Sequence, residues 1–70
     1  MQNEIQHMQV RLFSLAWKKW NITIQRCSEL FDQFQIDRYI ASLYELLHVQ
    51  GDDANLIEIE EYLKNKGVVI

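Results

Sequence analysis

The chain contains no proline and only two glycines, Gly51 and Gly67, in 70 residues. That scarcity constrains the fold more than any motif, because proline and glycine are the residues that most often end helices and shape tight turns. A chain that lacks them favours long helices with short connections, provided that its apolar residues repeat at helical spacing. Here they do.

In the first segment Ile5, Met8, Leu12 and Leu15 form one stripe, and Val10, Phe13, Trp17 and Trp20 form a second beside it. A helix apolar over so wide an arc lies at the centre of a bundle or turns a sticky face outward. "NIT" at 21–23 breaks the pattern, and Thr23 is placed to cap a second helix with Ile24, Cys27, Leu30, Phe31 and Phe34 inward. "QID" at 35–37 is the next joint. Asp37 is expected to cap a third helix, with Ile40, Leu43 and Leu47 on one face and Tyr39, Tyr44 and Leu46 flanking it. Gly51 falls where a left-handed helix end wants glycine. Asp52 and Asp53 then open a last helix that holds Leu56, Ile59, Tyr62 and Leu63, stops near residues 64–66 and ends at Gly67. "GVVI" has no partner strand in the sequence and is expected as a docked or frayed tail. The expected fold is all-α: one compact domain over 1–70, a bundle of about four short helices with its core in about 5–66 and a tail at 67–70.

Composition limits what such a bundle can do. Hydrophobic residues at 49% and charged residues at 24% suit a folded domain and exclude a disordered one. A chain this short buries roughly 60% of the surface its unfolded form exposes, so a homodimer is one way it can gain stability. The net charge of −3 and the scattering of Arg11, Lys18, Lys19, Arg26, Arg38, Lys64 and Lys66 speak against a nucleic-acid partner. The single cysteine rules out an internal disulfide and fits a reducing compartment. No signal peptide and no apolar run of the ~20 residues needed to span a bilayer are visible, so no membrane association and a cytoplasmic location are expected.

"LF" at Leu30 and Phe31, "IDRYI" at 36–40, "YELLHVQGDD" at 44–53 and "LIEIEEYLKNKG" at 56–67 resemble a bacterial family of short proteins, number 3791 in the domain-of-unknown-function series. The resemblance covers about residues 10–66. Its most specific part is Tyr44, Leu47, His48, Gln50 and Gly51, followed by Ile57, Ile59, Glu60 and Tyr62, with Phe13 the best anchor in the first helix. Members often carry Asp where this chain has Glu58 and Glu60. The likeness implies a compact helical domain with no assigned activity. It also implies a gene neighbourhood that includes proteins resembling ADP-ribosyltransferase toxins, hence an antitoxin-like or accessory role. It supplies no catalytic residues.

Several residues invite chemistry. Glu45 and His48 make an E-x-x-H pair on one helical face, but di-iron bundles need two such pairs and two further glutamates. His48 reads better as a residue of the last helical turn, where its ring can donate to a free carbonyl. Asp52, Asp53, Glu58, Glu60 and Glu61 lack the order of a calcium loop and read as dipole-favouring residues followed by a solvated face. Cys27 lies on the apolar stripe with Ile24 and Phe31 and reads as a small buried hydrophobe. A helix-turn-helix presenting Arg38, Tyr39, Ser42 and Glu45 would be a poor reader of DNA, with one cation against one anion.

Trp17 and Trp20, with Phe13, are the strongest functional lead. If the first stripe faces the core, they form an aromatic contact surface of the kind that carries binding energy. The expectation is therefore a non-catalytic protein–protein interaction module without cofactor, catalytic residue or metal. It would bind a protein partner or itself through Phe13, Trp17 and Trp20, with Glu58, Glu60 and Glu61 as a second surface for a basic groove. The competing expectations are a small metal- or thiol-dependent enzyme using Glu45, His48 and Cys27, and a DNA-binding regulator.

Overall fold

The computed structural model describes residues 2–70. Five helices follow one another: α1 (Gln2–Lys19), α2 (Ile24–Gln33), α3 (Ile36–Ser42), α4 (Tyr44–Leu47) and α5 (Asp52–Asn65), with no strand among the described residues. The 18 residues of α1 span roughly 27 Å at the helical rise, close to the 30 Å long dimension of the molecule. α1 is thus the spine, and α2, α3 and α5 all pack against it. None of these helices is long and apolar enough to cross a membrane.

The core is one cluster: Leu12 and Ala16 of α1, Cys27 and Phe31 of α2, Ile36 and Ile40 of α3, Leu47 of α4, and Leu56, Ile59 and Leu63 of α5. Its line along α1 runs between the two stripes, so that Met8 and Leu15 flank it on one side and Phe13, Trp17 and Trp20 on the other. That placement explains the wide apolar arc of α1, which has helices on several sides to cover.

Helix ends follow the expected signals at two places. Thr23 Oγ1 accepts the Arg26 amide at 2.9 Å and caps α2. Gly67, at φ +83°, closes α5: its N–H donates to the Lys64 carbonyl and that of Val68 donates to the Leu63 carbonyl. This double bond is the left-handed helix stop that glycine adopts without strain, and it folds Val68 back onto the core. Asn21 repeats the device after α1 at φ +54°, its N–H bonded to the Lys18 carbonyl and that of Ile22 to the Trp17 carbonyl.

Four details differ from expectation. The third helix is two helices, because the chain kinks at Leu43 (φ −106°, ψ 13°) where Ser42 Oγ donates to the Tyr39 carbonyl at 2.8 Å and loosens the helical ladder. Asp37 does not cap α3. Gln35 turns the chain at φ +51°, which brings Ile36 into the core and leaves Asp37 inside the first turn. Gly51 is not a left-handed stop either: the Val49 and Gln50 amides unwind the chain through bonds to the Leu46 and Leu47 carbonyls, and Gly51 is already extended at φ −78°. It occupies the cap position of α5, and a Cβ there would meet nothing within 4 Å. Finally, Ile24 is 54% exposed at the first position of α2 and does not face inward.

Candidate interaction surface

The second stripe of α1 divides. Trp17 and Trp20 are half-buried against the core, with the Lys18 ammonium 5.5 Å from the centre of the Trp17 ring. Trp20 Nε1 donates to Glu60 Oε2 at 2.8 Å, and Lys19 Nζ meets the same oxygen at 2.8 Å. Burial alone would raise the Glu60 carboxyl, but the hydrogen bonds from Lys19 and Trp20 and the Lys19 charge outweigh it and hold the group below its ordinary range. Trp20 thereby ties the end of α1 to the middle of α5.

Val10 and Phe13, the other half of the stripe, turn towards α2. Val10 is 66% exposed, and Phe13 is half-buried with its ring edge-on to Phe31 at 5.1 Å. Phe13 and Asp37 line two adjoining depressions, one reaching Gln6, Gln9 and Val10 along α1, the other Ile24, Glu29, Phe31 and Asp32 along α2. Together they make an open groove with an apolar floor and an acidic margin. Partial burial raises the Asp37 carboxyl above its ordinary value, while its backbone carbonyl accepts Gln9 Nε2 at 2.8 Å and ties α3 to α1.

The three glutamates of α5 are not gathered into one face. Glu60 is held by Lys19 and Trp20. Glu58 stands near Tyr39, whose hydroxyl is raised first by burial and then by the Glu58 and Tyr62 charges. Glu61 points to solvent.

The stretch from Tyr44 to Asn55 is a joint whose buried polar groups are satisfied from within, while Leu46 and Val49 stand exposed on its outer side. Asn55 is a buried polar residue in phase with Ile59 and Leu63, and its Nδ2 donates to the Leu47 carbonyl at 3.0 Å. Gln50 Nε2 in turn donates to Asn55 Oδ1 at 2.9 Å, and the Asn55 amide to the Gly51 carbonyl. Leu47 is fully buried. Tyr44 stacks on His48 at 5.2 Å and its hydroxyl donates to Glu4 of α1. No buried side-chain nitrogen or oxygen among the described residues lacks a partner.

Residues 4–66 match the family described as "Protein of unknown function (DUF3791)". The chain belongs to this family. No curated protein matches the chain, and no solved structure does. Within this DUF3791 chain, Tyr44, Leu47, His48, Gln50 and Gly51, the residues that carry the resemblance most specifically, all stand in the joint between α4 and α5. His48 does not donate to a carbonyl there; its ring lies on Tyr44, with Nε2 3.8 Å from Glu45 Oε2.

Cys27 is fully buried, its Sγ 4.0 Å from the Phe13 carbonyl, and burial pushes the thiol up to about 11. A nucleophile needs the opposite shift. Among the described residues no three or more His, Cys, Asp or Glu side chains form a group that could hold a metal ion, so Glu45, His48 and Cys27 are not a shared donor set. The residues of the imagined DNA reader are also separated in role. Tyr39 stacks on Tyr62 at 4.0 Å, Ser42 bonds its own backbone, Arg38 donates to Gln35, and Glu45 belongs to α4.

Sequence reasoning missed Asn55, Ile36 and the exposure of Ile24. For Asn55 a signal exists: it is an uncharged polar residue four before Ile59 and eight before Leu63 on the apolar face of α5, and a polar side chain in that register needs an internal partner.

Proposed function

We propose that this DUF3791 chain is a non-catalytic protein-interaction domain whose working surface is the groove between α1 and α2. The observation that carries the proposal is the exposure of Val10 and Ile24 on two open depressions that meet at half-buried Phe13. Apolar side chains left in water beside a formed core are surface that a partner can bury, at roughly 25 cal/mol per Å² of apolar area removed from water. Phe13 belongs to this surface. Trp17 and Trp20 support it from behind, since their rings pack on the core and Trp20 is committed to Glu60. An accessory role beside a toxin-like enzyme agrees with this reading, because masking another protein requires a surface and no reactive group.

The test is affinity capture with the native chain and a Val10→Ser/Ile24→Ser variant. Both positions are exposed, so the variant is expected to keep the native circular dichroism and melting temperature. One protein retained in stoichiometric amount by the native chain and lost by the folded variant supports the proposal. Identical capture by both chains contradicts it.

A further inference from the structure

We infer that the occupant of this groove is a short, basic, amphipathic helix of a partner protein, its apolar side chains on Val10, Phe13 and Ile24 and its Lys or Arg side chains against Asp32 and Asp37. The inference rests on the interaction reading above and adds the chemistry of the partner.

Shape comes first. Along α1 the groove runs from Gln6 to Phe13, and along α2 from Ile24 to Asp32. The depressions share only Phe13 and Asp37 and so follow end to end, and at the helical rise their lengths of roughly 10 and 12 Å together match about four helical turns. A helix of that length offers a stripe of apolar anchors at i, i+4, i+7 and i+11, enough to reach Val10, Phe13 and Ile24. The floor is firm, because Phe13 packs edge-on against buried Phe31 and Phe31 belongs to the core cluster.

Charge then selects among occupants. The residues lining both halves of the groove include Glu29, Asp32 and Asp37 and no lysine or arginine. Arg26 already pairs with Glu29 at 3.6 Å, while neither Asp32 nor Asp37 has an ion-pair partner among the described residues. A second copy of this chain fits poorly. Symmetric pairing through this face would set each acidic margin against its own copy, in a chain that already carries −3. Nucleic acid and anionic lipid are repelled by the same carboxylates. A cationic apolar helix is attracted by them, and exposed Asp32 and Asp37 gain the counter-charge that no residue among those described supplies.

The experiment titrates the full isotope-labelled chain with a Leu/Lys amphipathic peptide of about four turns, followed by amide chemical shifts and fluorescence anisotropy. Two control peptides replace Lys by Glu, or scramble the order so that no apolar stripe remains. The inference expects shifts confined to residues 6–13, 24–32 and 37, no binding of either control, and binding that weakens as salt rises. Val10→Ser/Ile24→Ser should weaken the Leu/Lys peptide at least about tenfold. Asp32→Asn/Asp37→Asn should weaken it about threefold or more at low salt and flatten the salt dependence. If the Glu peptide binds as well as the Lys peptide, and Val10→Ser/Ile24→Ser still abolishes both, the basic partner is overturned while the interaction surface stands. Shifts spread over α5, or affinity indifferent to Val10 and Ile24, overturn the groove itself. A dimer in sedimentation that Val10→Ser/Ile24→Ser dissociates would make a second copy the occupant and overturn the basic helix.

Discussion

The joint between α4 and α5 and the groove between α1 and α2 have similar residue types and opposite solutions. At the joint, two carboxamides, Gln50 and Asn55, satisfy each other and the last carbonyl of α4, and Leu47 is sealed beneath them. At the groove, Val10 and Ile24 stand in water and the nearby carboxylates Asp32 and Asp37 have no cation among the described residues. A region whose buried polar groups are closed internally contributes to stability, since breaking one buried bond strands its partner, even where Leu46 and Val49 remain exposed beside it. A region with open apolar surface and open charge contributes little to stability and is free for a partner. The residues that make this sequence look like its family lie in the closed region. They are placed where the fold is held, and the interaction surface proposed above lies on a different side of α1.

The largest expected effect breaks the closed side. Asn55→Ala removes one of the two donors to the Leu47 carbonyl, which keeps the Gln50 amide, and takes away the acceptor of Gln50 Nε2, so that two side-chain hydrogen bonds are lost at a cost of about 2–3 kcal/mol. Thermal melts followed by circular dichroism should then fall by roughly 10–20 °C for a domain of this size. A melt unchanged within error would show that the clasp is not what holds α5 to α4.

The next effect lies at the third contact, where α1 meets α5. Trp20→Phe keeps the ring and deletes the donor to Glu60, with a loss of about 1.5 kcal/mol in urea denaturation at pH 7. The Glu60 carboxyl is held below the ordinary glutamate range, so its contribution is present above that range and disappears as pH falls through the lower folded-state value. A Glu60→Gln chain should therefore be less stable than the native one at pH 7, with a shallower decline in acid. Equal slopes for the two chains would mean that the Lys19–Glu60–Trp20 contact carries no stability.

Cys27 sharpens the comparison from the core. Its thiol is buried beneath Phe13 and raised to about 11, so alkylation at pH 8 should proceed at the rate at which the chain opens. Fast labelling of the folded chain would mean that the groove floor is not a sealed layer. The smallest effect is expected at Arg11, whose guanidinium makes a forked pair with Asp52 at 2.7–3.1 Å on the surface. Arg11→Gln should cost a little stability at low salt and nothing near 1 M salt, where charges about 3 Å apart are already screened. A salt-independent loss would assign Arg11 to packing instead.

Much of the fold was legible in the sequence because periodicity sets the phase of each helix. Leu12, Ile40, Ile59 and Leu63 are buried as their spacing requires, and Thr23 and Gly67 end helices by side-chain and backbone chemistry that is local. What was not legible depends on neighbours distant in sequence. Ile24 keeps the phase of Cys27 and Phe31 but sits at the exposed start of α2, whereas Ile36 enters the core through the left-handed turn at Gln35. Gly51 was misassigned because α4 had already unwound before it. The Trp20–Glu60 bond joins residues 40 apart, and no helical repeat can announce such a pair. Phe13 was legible as a member of its stripe, but its edge-on contact with Phe31 depends on how α2 packs on α1 and was not.

The measurement that tests the account most directly is a paired one on Val10→Ser/Ile24→Ser: its thermal melt and its affinity for the Leu/Lys peptide, both beside the native chain. The account predicts a melt within about 0.5 kcal/mol of native stability and affinity weakened at least about tenfold. An unchanged affinity, or a loss of stability as large as that of Asn55→Ala, would contradict it.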